Sequence, residues 1–169
     1  MKTERIASKN ATFQKFEVLK TNRNKRYKYG EFFVEGVRNI NNAVLNGWEI
    51  ISFLYDETRE LSSWAKEKLG TVHTKVNYAL TPELIAELSG KEDTSELLAI
   101  IKMREDDVSS LPLSKVPFLA LFDRPSNHGN LGTILRSCDA LGVDGLILTG
   151  HAVDLYDPNV VSSTMGSFF

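Results

Sequence analysis

Apolar positions along the chain switch repeatedly between a spacing of three to four residues and short, nearly continuous runs. This is the pattern of alternating helices and buried strands. Phe13, Phe16 and Leu19 share one face of a first helix. EFFVE (Glu31–Glu35) reads as a short strand, and Gly36 leads into a helix with Val37, Ile40 and Val44 on one face. Gly47 is placed to close that helix in the left-handed conformation. WEIISFLY (Trp48–Tyr55), rich in aromatic and β-branched residues, predicts a buried strand. Leu61, Trp64, Ala65 and Leu69 keep helical spacing, and a weak strand is expected over Val72–Val76. Thr81 followed by Pro82 predicts a helix start with a hydroxyl cap, and LLAIIKM (Leu97–Met103) a further buried strand.

The rhythm stops in REDDVSSLPLSKVP (Arg104–Pro117), a stretch of charge, serine and proline that reads as a linker. Beyond it come a strand FLALF (Phe118–Phe122), a helical stripe of Leu131, Ile134, Leu135, Cys138 and Leu141, and a strand GLILT (Gly145–Thr149). Strand, helix and strand in so few residues make a βαβ unit with a parallel sheet. The expected plan is therefore α/β, with units over 1–104 and 117–169 joined by a linker over 105–116.

Composition narrows this little: 42% hydrophobic and 25% charged residues in 169 are ordinary for a folded domain. No apolar run is long enough to span a bilayer, so no membrane association is expected. The single cysteine, Cys138, excludes an internal disulfide, suits a reducing cytoplasm and reads as a small core residue. His73, His128 and His151 lack metal-ligand spacing, so no metal site is expected. The formal net charge of −2 hides an asymmetry. Lys2, Arg5, Lys9, Lys15, Lys20, Arg23, Lys25, Arg26 and Lys28 are opposed up to that point only by Glu4 and Glu17. A basic arm on an acidic body suits a polyanion such as RNA; a solvated N-terminal helix is the plainer alternative. Tyr27 and Tyr29, interleaved with Arg26 and Lys28, are candidates for stacking on unpaired bases.

The segment with most chemical content is FDRPSNHGNLGTILRSCDALG, Phe122–Gly142. It leaves the carboxyl end of a strand and enters a helix near Asn130, where parallel α/β sheets hold ligands. Gly129 and Gly132 permit close approach of the backbone to a ligand. The spacing matches neither a GxGxxG fingerprint nor a Walker loop, which lacks its Lys-Ser/Thr here. Arg136 reads either as a surface arginine covering the helix flank or as a fork-shaped cation for a phosphate or developing oxyanion.

The pattern Asn130-Leu131-Gly132-x-x-x-Arg136-x-x-x-Ala140-x-Gly142 resembles the first motif of SpoU/TrmH RNA methyltransferases. Asp157–Phe169, clearest at Met165-Gly166-Ser167, resembles the second. Ile6–Asn10 and Arg26–Gly36 resemble the RNA-binding domain that often precedes the catalytic one. That resemblance implies a small ribosomal-protein-like α/β/α sandwich followed by the first part of an α/β-knot (SPOUT) domain. It implies S-adenosylmethionine as cofactor, a ribose 2′-hydroxyl of structured RNA, chiefly rRNA, as target, and a cytoplasmic homodimer. Asn130 and Arg136 would then serve catalysis. Lys9, Arg23, Lys25, Arg26, Tyr27, Lys28 and His128 would face RNA, with a minor cofactor contribution from Thr149 and Gly150. Two departures stand out. Ser162 occupies a position where many relatives carry arginine, and the family's third motif, which builds most of the cofactor pocket, has no counterpart. On that reading the chain is a truncated, inactive form ending on an uncovered apolar edge at Phe168 and Phe169. A non-catalytic RNA-binding protein and a nucleotide-binding domain of another class are the rival readings.

Overall fold

The computed structural model describes residues 2–91 and 93–169. Strands β1 (Thr3–Ile6), β2 (Glu31–Glu35), β3 (Ile50–Asp56), β4 (Asn77–Leu80) and β5 (Leu98–Lys102) form one sheet in the order β1-β4-β3-β5-β2. β1, β4 and β3 run parallel, while β5 is antiparallel to both of its neighbours. The side-chain period of two sends each strand's apolar residues to both faces, and helices cover each. On one face α1 (Ala11–Thr21) and α5 (Pro82–Leu88) pack Phe13, Phe16, Leu19, Leu84 and Leu88 over Phe33, Leu54 and Ile100. On the other, α3 (Val37–Leu45) and α4 (Ser63–Thr71) bring Ile40, Ala43 and Ala65 to Phe32, Val34, Phe53 and Ala99. The expected α/β/α sandwich is thus observed. A bulge between Ile50 and Ser52 shifts the alternation of β3, so that Ile50 and Phe53 point one way and Ile51 and Leu54 the other.

Several local expectations need correction. The basic arm is not one solvated helix. It contains β1, α1 and a separate short helix α2 (Arg23–Tyr29), divided at Asn22, whose side chain caps α2. Val72–Val76 is not a strand; the strand begins at Asn77, whose side-chain oxygen accepts from the Phe53 amide at 3.0 Å. Thr81 sits at the N-cap of α5 without making a side-chain cap, and Pro82 alone marks the start. Gly47 does take the left-handed conformation, with φ 66.

After the 104–117 segment, β6 (Leu119–Asp123) and β7 (Gly145–Thr149) pair in parallel around α6 (His128–Ala140), and α7 (Pro158–Ser163) follows. No helix among the described residues is long and apolar enough to cross a membrane. Phe118, Leu121, Ile134 and Leu141 stay exposed on β6 and α6, and Cys138 lies half-buried among them rather than in a closed core. Phe168 and Phe169, in contrast, are not an uncovered edge. Their rings lie 5.7 and 6.3 Å from Phe32 and 5.6 and 5.3 Å from Trp48, inside the second face of the five-stranded sheet.

Two glycines of the motif segments have packing roles. A Cβ on Gly132 would lie 1.8 Å from Ser163 Oγ and 2.7 Å from Ser163 Cβ, so α6 meets α7 where only hydrogen fits. Gly166, with φ 102, presents its carbonyl to Asn42 Nδ2 at 3.1 Å, and a Cβ there would come within 2.4 Å of that nitrogen. We expect Gly132→Ala to lower the unfolding free energy by about 1–3 kcal/mol in urea titrations. Adding Ser163→Gly should return part of that loss; no recovery would count against the helix contact as its cause.

Candidate active site

β6 delivers the chain to a turn, Arg124–Asn127, and then to α6. The turn is fixed at three points. The Arg124 amide donates to the Thr149 carbonyl at 2.9 Å, buried Pro125 accepts from the Val153 amide at 2.8 Å, and Asn127 caps the helix by accepting from the Asn130 amide at 2.9 Å. Asn127, not Asn130, is therefore the cap. The helix begins at His128, which places Asn130 on its third residue. Asn130 and Arg136 are both exposed, and neither side chain makes a hydrogen bond or ion pair among the described residues. Six helical residues separate them by about 9 Å along the axis and about 120° around it. They do not touch. Gly132 serves helix packing rather than ligand approach.

The residues expected to face RNA divide into three groups. Lys9 pairs with Glu87 and Glu17 on the surface. Lys25 and Lys28 form no ion pair among the described residues. Arg23, Arg26 and Tyr27, on α2, instead grip the turn at residues 152–157. Arg23 Nη1 donates to the Ala152 carbonyl at 3.0 Å, with its guanidinium over the Tyr27 ring, and the Tyr27 hydroxyl donates to Asp154 Oδ1 at 3.2 Å. Arg26 is 1% exposed and unavailable to RNA, which corrects its expected role. Its Nε and Nη2 lie 2.7 and 2.6 Å from Asp154 Oδ2, and its Nη1 donates to the Leu19 and Lys20 carbonyls of the last turn of α1. A fixed fork of five donors suits two carboxylates and two helix-end carbonyls at once.

Asp157 connects this clamp to the site. Its Oδ2 lies 3.4 Å from Arg26 Nη2 and 3.8 Å from His128 Nε2, while Oδ1 caps α7 through the Asn159 amide. The His128 carbonyl also accepts from Ser163 Oγ at 3.3 Å. The first residues of α6 are thus tied through α7 to the N-terminal sandwich. The intervening segment is fastened as well. The Tyr156 hydroxyl donates to the Arg104 carbonyl at 3.1 Å and meets Asp106 Oδ1 at 3.4 Å. Burial pushes both the Asp106 carboxyl and the Tyr156 phenol above their ordinary pKa values.

At the carboxyl ends of β6 and β7 the two positions expected to help a cofactor are otherwise engaged. Thr149 Oγ1 donates to Asp123 Oδ1 at 2.9 Å, and Gly150 lies under the Arg124 stem. Gly150 also borders a cavity of about 470 Å³ shared with Leu148, Ala152 and Val153. The Arg26 clamp and the unusual turn at Arg124 went unseen in the sequence. The only trace of the clamp was the pair of acidic residues, Asp154 and Asp157, three apart in the second motif region.

A model of the SpoU L30e-like domain matches residues 10–99, and one of the SpoU rRNA Methylase family matches residues 117–169. The chain is 49% identical over 166 residues to a 23S rRNA (uridine(2479)-2′-O)-methyltransferase of Streptomyces viridochromogenes, covering 98% of this chain and 58% of that one. Its fold superimposes on the crystal structure of the SpoU methyltransferase AviRb from the same organism in complex with AdoMet. The TM-score is 0.88 at 49% identity, over 94% of this chain and 60% of that one. An AdoMet-bound rRNA methyltransferase from Sinorhizobium meliloti matches with a TM-score of 0.79 at 26% identity, over 98% and 62%. The chain thus spans about three fifths of the length of these relatives.

Removing Arg26 strands a buried carboxylate. We expect Arg26→Met to cost about 3–5 kcal/mol of stability, measured by denaturant unfolding. Arg26→Met in an Asp154→Leu background should cost markedly less; equal costs in both backgrounds would show that the pair is not what the arginine serves.

Proposed function

The chain belongs to the SpoU rRNA methylase family, and from that premise we propose that it serves methyl transfer from S-adenosylmethionine to a ribose 2′-hydroxyl of ribosomal RNA. The observation that carries the reading is the state of Asn130 and Arg136. Both are exposed and free of internal partners, on a helix held rigidly at its start. Polar groups left uncommitted on a fixed element suit a ligand that arrives later. The names of the relatives, all methyltransferases, disfavour a purely RNA-binding protein or a nucleotide-binding domain of another class.

A ribose hydroxyl is a weak nucleophile, and charge develops on its oxygen as it reacts. Arginine remains protonated at any working pH, so Arg136 is a donor and not a base. Its role in this reading is to orient an RNA phosphate and to stabilise the emerging alkoxide, as fixed donors do in oxyanion sites. Asn130, about two turns earlier, meets the substrate from a different side of the helix. Lys9, Lys25, Lys28 and His128 supply the outer RNA contacts, with Arg23 and Tyr27 at the margin of the clamp. The division into an RNA-docking unit over 1–104, a connector over 105–116 and a methyltransferase unit over 117–169 belongs to the same proposal. So do the homodimer and the cytoplasm, where rRNA is found and where a free thiol such as Cys138 stays reduced.

S-adenosylmethionine supplies the methyl group when bound. The cavity beside Gly150 is open to solvent, and the apolar side of β6 and α6 stays exposed. We expect these 169 residues to hold no cofactor unaided and to be inactive alone. Calorimetric titration of S-adenosylmethionine should give no binding heat, and a 23S rRNA transcript should bind with strong salt dependence. Arg136→Ala should weaken that RNA binding about tenfold. Cofactor binding would place the pocket within these residues, and absence of RNA binding would remove the substrate assignment.

A further inference from the structure

Among the described residues only Arg124 and Met165 are non-glycine positions with left-handed backbone, at φ 48 and φ 54. A Cβ disfavours that region. For Met165 the neighbouring Gly166 and its contact with Asn42 give a reason: the chain must turn sharply there to reach α3. At Arg124 the amide is fixed by the Thr149 carbonyl, but that bond asks for no arginine, and the side chain is 71% exposed.

The turn does aim the side chain. Were Gly150 to carry a Cβ, it would stand 2.4 Å from Arg124 Cγ and 3.0 Å from Cδ. The left-handed residue at 124 and the glycine at 150 together let the stem lie across the end of β7. The guanidinium is then held on one edge only. Nε and Nη2 both reach Asp123 Oδ2 at 2.8 Å, and Asp123 is steadied by Thr149 Oγ1 on its other oxygen. Nη1 has no acceptor among the described residues. An exposed ion pair between chain neighbours adds little to stability, so the contact does not offset the backbone strain. Strain retained at a strand end beside the start of the site helix points instead to a function.

We propose that Arg124 binds a phosphodiester of the RNA beside the nucleotide presented to Asn130 and Arg136. This rests on the RNA-methyltransferase reading above. Asp123 acts as the positioning residue. By taking the Nε–Nη2 edge it leaves the Nη1–Nη2 fork facing outward, the geometry in which arginine grips two phosphate oxygens. The neighbouring carboxylate sits on the adjacent edge, which shares Nη2 with the one offered to the phosphate, and fixes the plane of the fork. Gly150 belongs to this contact as the floor over which the arginine lies.

The test is fluorescence anisotropy of a labelled 23S rRNA transcript against the parent chain, Arg124→Gly and Arg124→Gln over a salt series, with thermal melting of each protein. Glycine accepts φ 48 freely, so Arg124→Gly should melt at or above the parent temperature. Both variants should bind RNA about tenfold more weakly, with the log–log salt slope shallower by about 0.7–0.9. Unchanged affinity and slope in both variants, against a parent that binds, would overturn the assignment while leaving the proposed function intact. A lowered melting temperature with unchanged binding would make Arg124 a structural residue. A parent that fails to bind would sink the RNA reading itself, and this contact with it.

Discussion

A guanidinium enclosed at 1% exposure is costly to bury without partners, and Arg26 finds them on two sides of the molecule at once. From its own side come the last-turn carbonyls of α1; from the far side come Asp154 and, more distantly, Asp157. The residue is satisfied only when α2 and the turn before α7 meet in this arrangement. Much else follows from that requirement. Tyr156 is carried into the aromatic layer over Phe32, with ring centroids 4.9 Å apart, and Val161 of α7 joins the same layer. Ser163 is set against Gly132, and the start of α6 is placed relative to the sandwich. The positions of Asn130 and Arg136 thus descend, through α7, from one buried charge.

Three of the five strands, β2, β3 and β5, were readable because they are nearly continuous apolar runs, and α1 and α3 because they keep helical stripes. The errors have physical causes. β1 is exposed over Thr3–Arg5 and carries charge, so nothing in its pattern marks a strand; pairing with β4 creates it. The bulge in β3 is invisible because both of its faces are apolar. Val72 and Val76 have strand-forming side chains, yet the ladder starts only at Asn77. The run of basic residues suggested one surface. Instead Lys9 is tied to Glu87, Lys15 to Glu31, and Arg26 to carboxylates more than a hundred residues away. A sequence window sees the charges of an arm but not the partners that fold back onto it.

For the site, resemblance of the first motif singled out Asn130 and Arg136, whereas spacing alone gave only a loop fit for an anion. Gly132 reads as a ligand-facing glycine because close approach to a ligand and close approach to another helix require the same missing Cβ, and Gly166 is seen only as part of a motif. Only the contacts with Ser163 and Asn42 separate the two. An arginine in left-handed backbone leaves no sequence trace at all, since the residue type argues against the conformation. The asparagine at 127 was overlooked as a cap because Asn130, three residues on, carried the motif.

The way Tyr156, Val161, Phe168 and Phe169 are used bears on how such chains evolve by recombination. These side chains come from the second unit but complete the hydrophobic core of the first. A crossover placed in the connector would therefore not exchange one autonomous RNA-capturing module for another. It would pull a wall out of the sandwich and bare Phe32 and Trp48. An incoming N-terminal unit would need its own socket for four aromatic and aliphatic residues that stay behind. Residues on either side of that segment share one core, even though the sequence between them reads like a hinge.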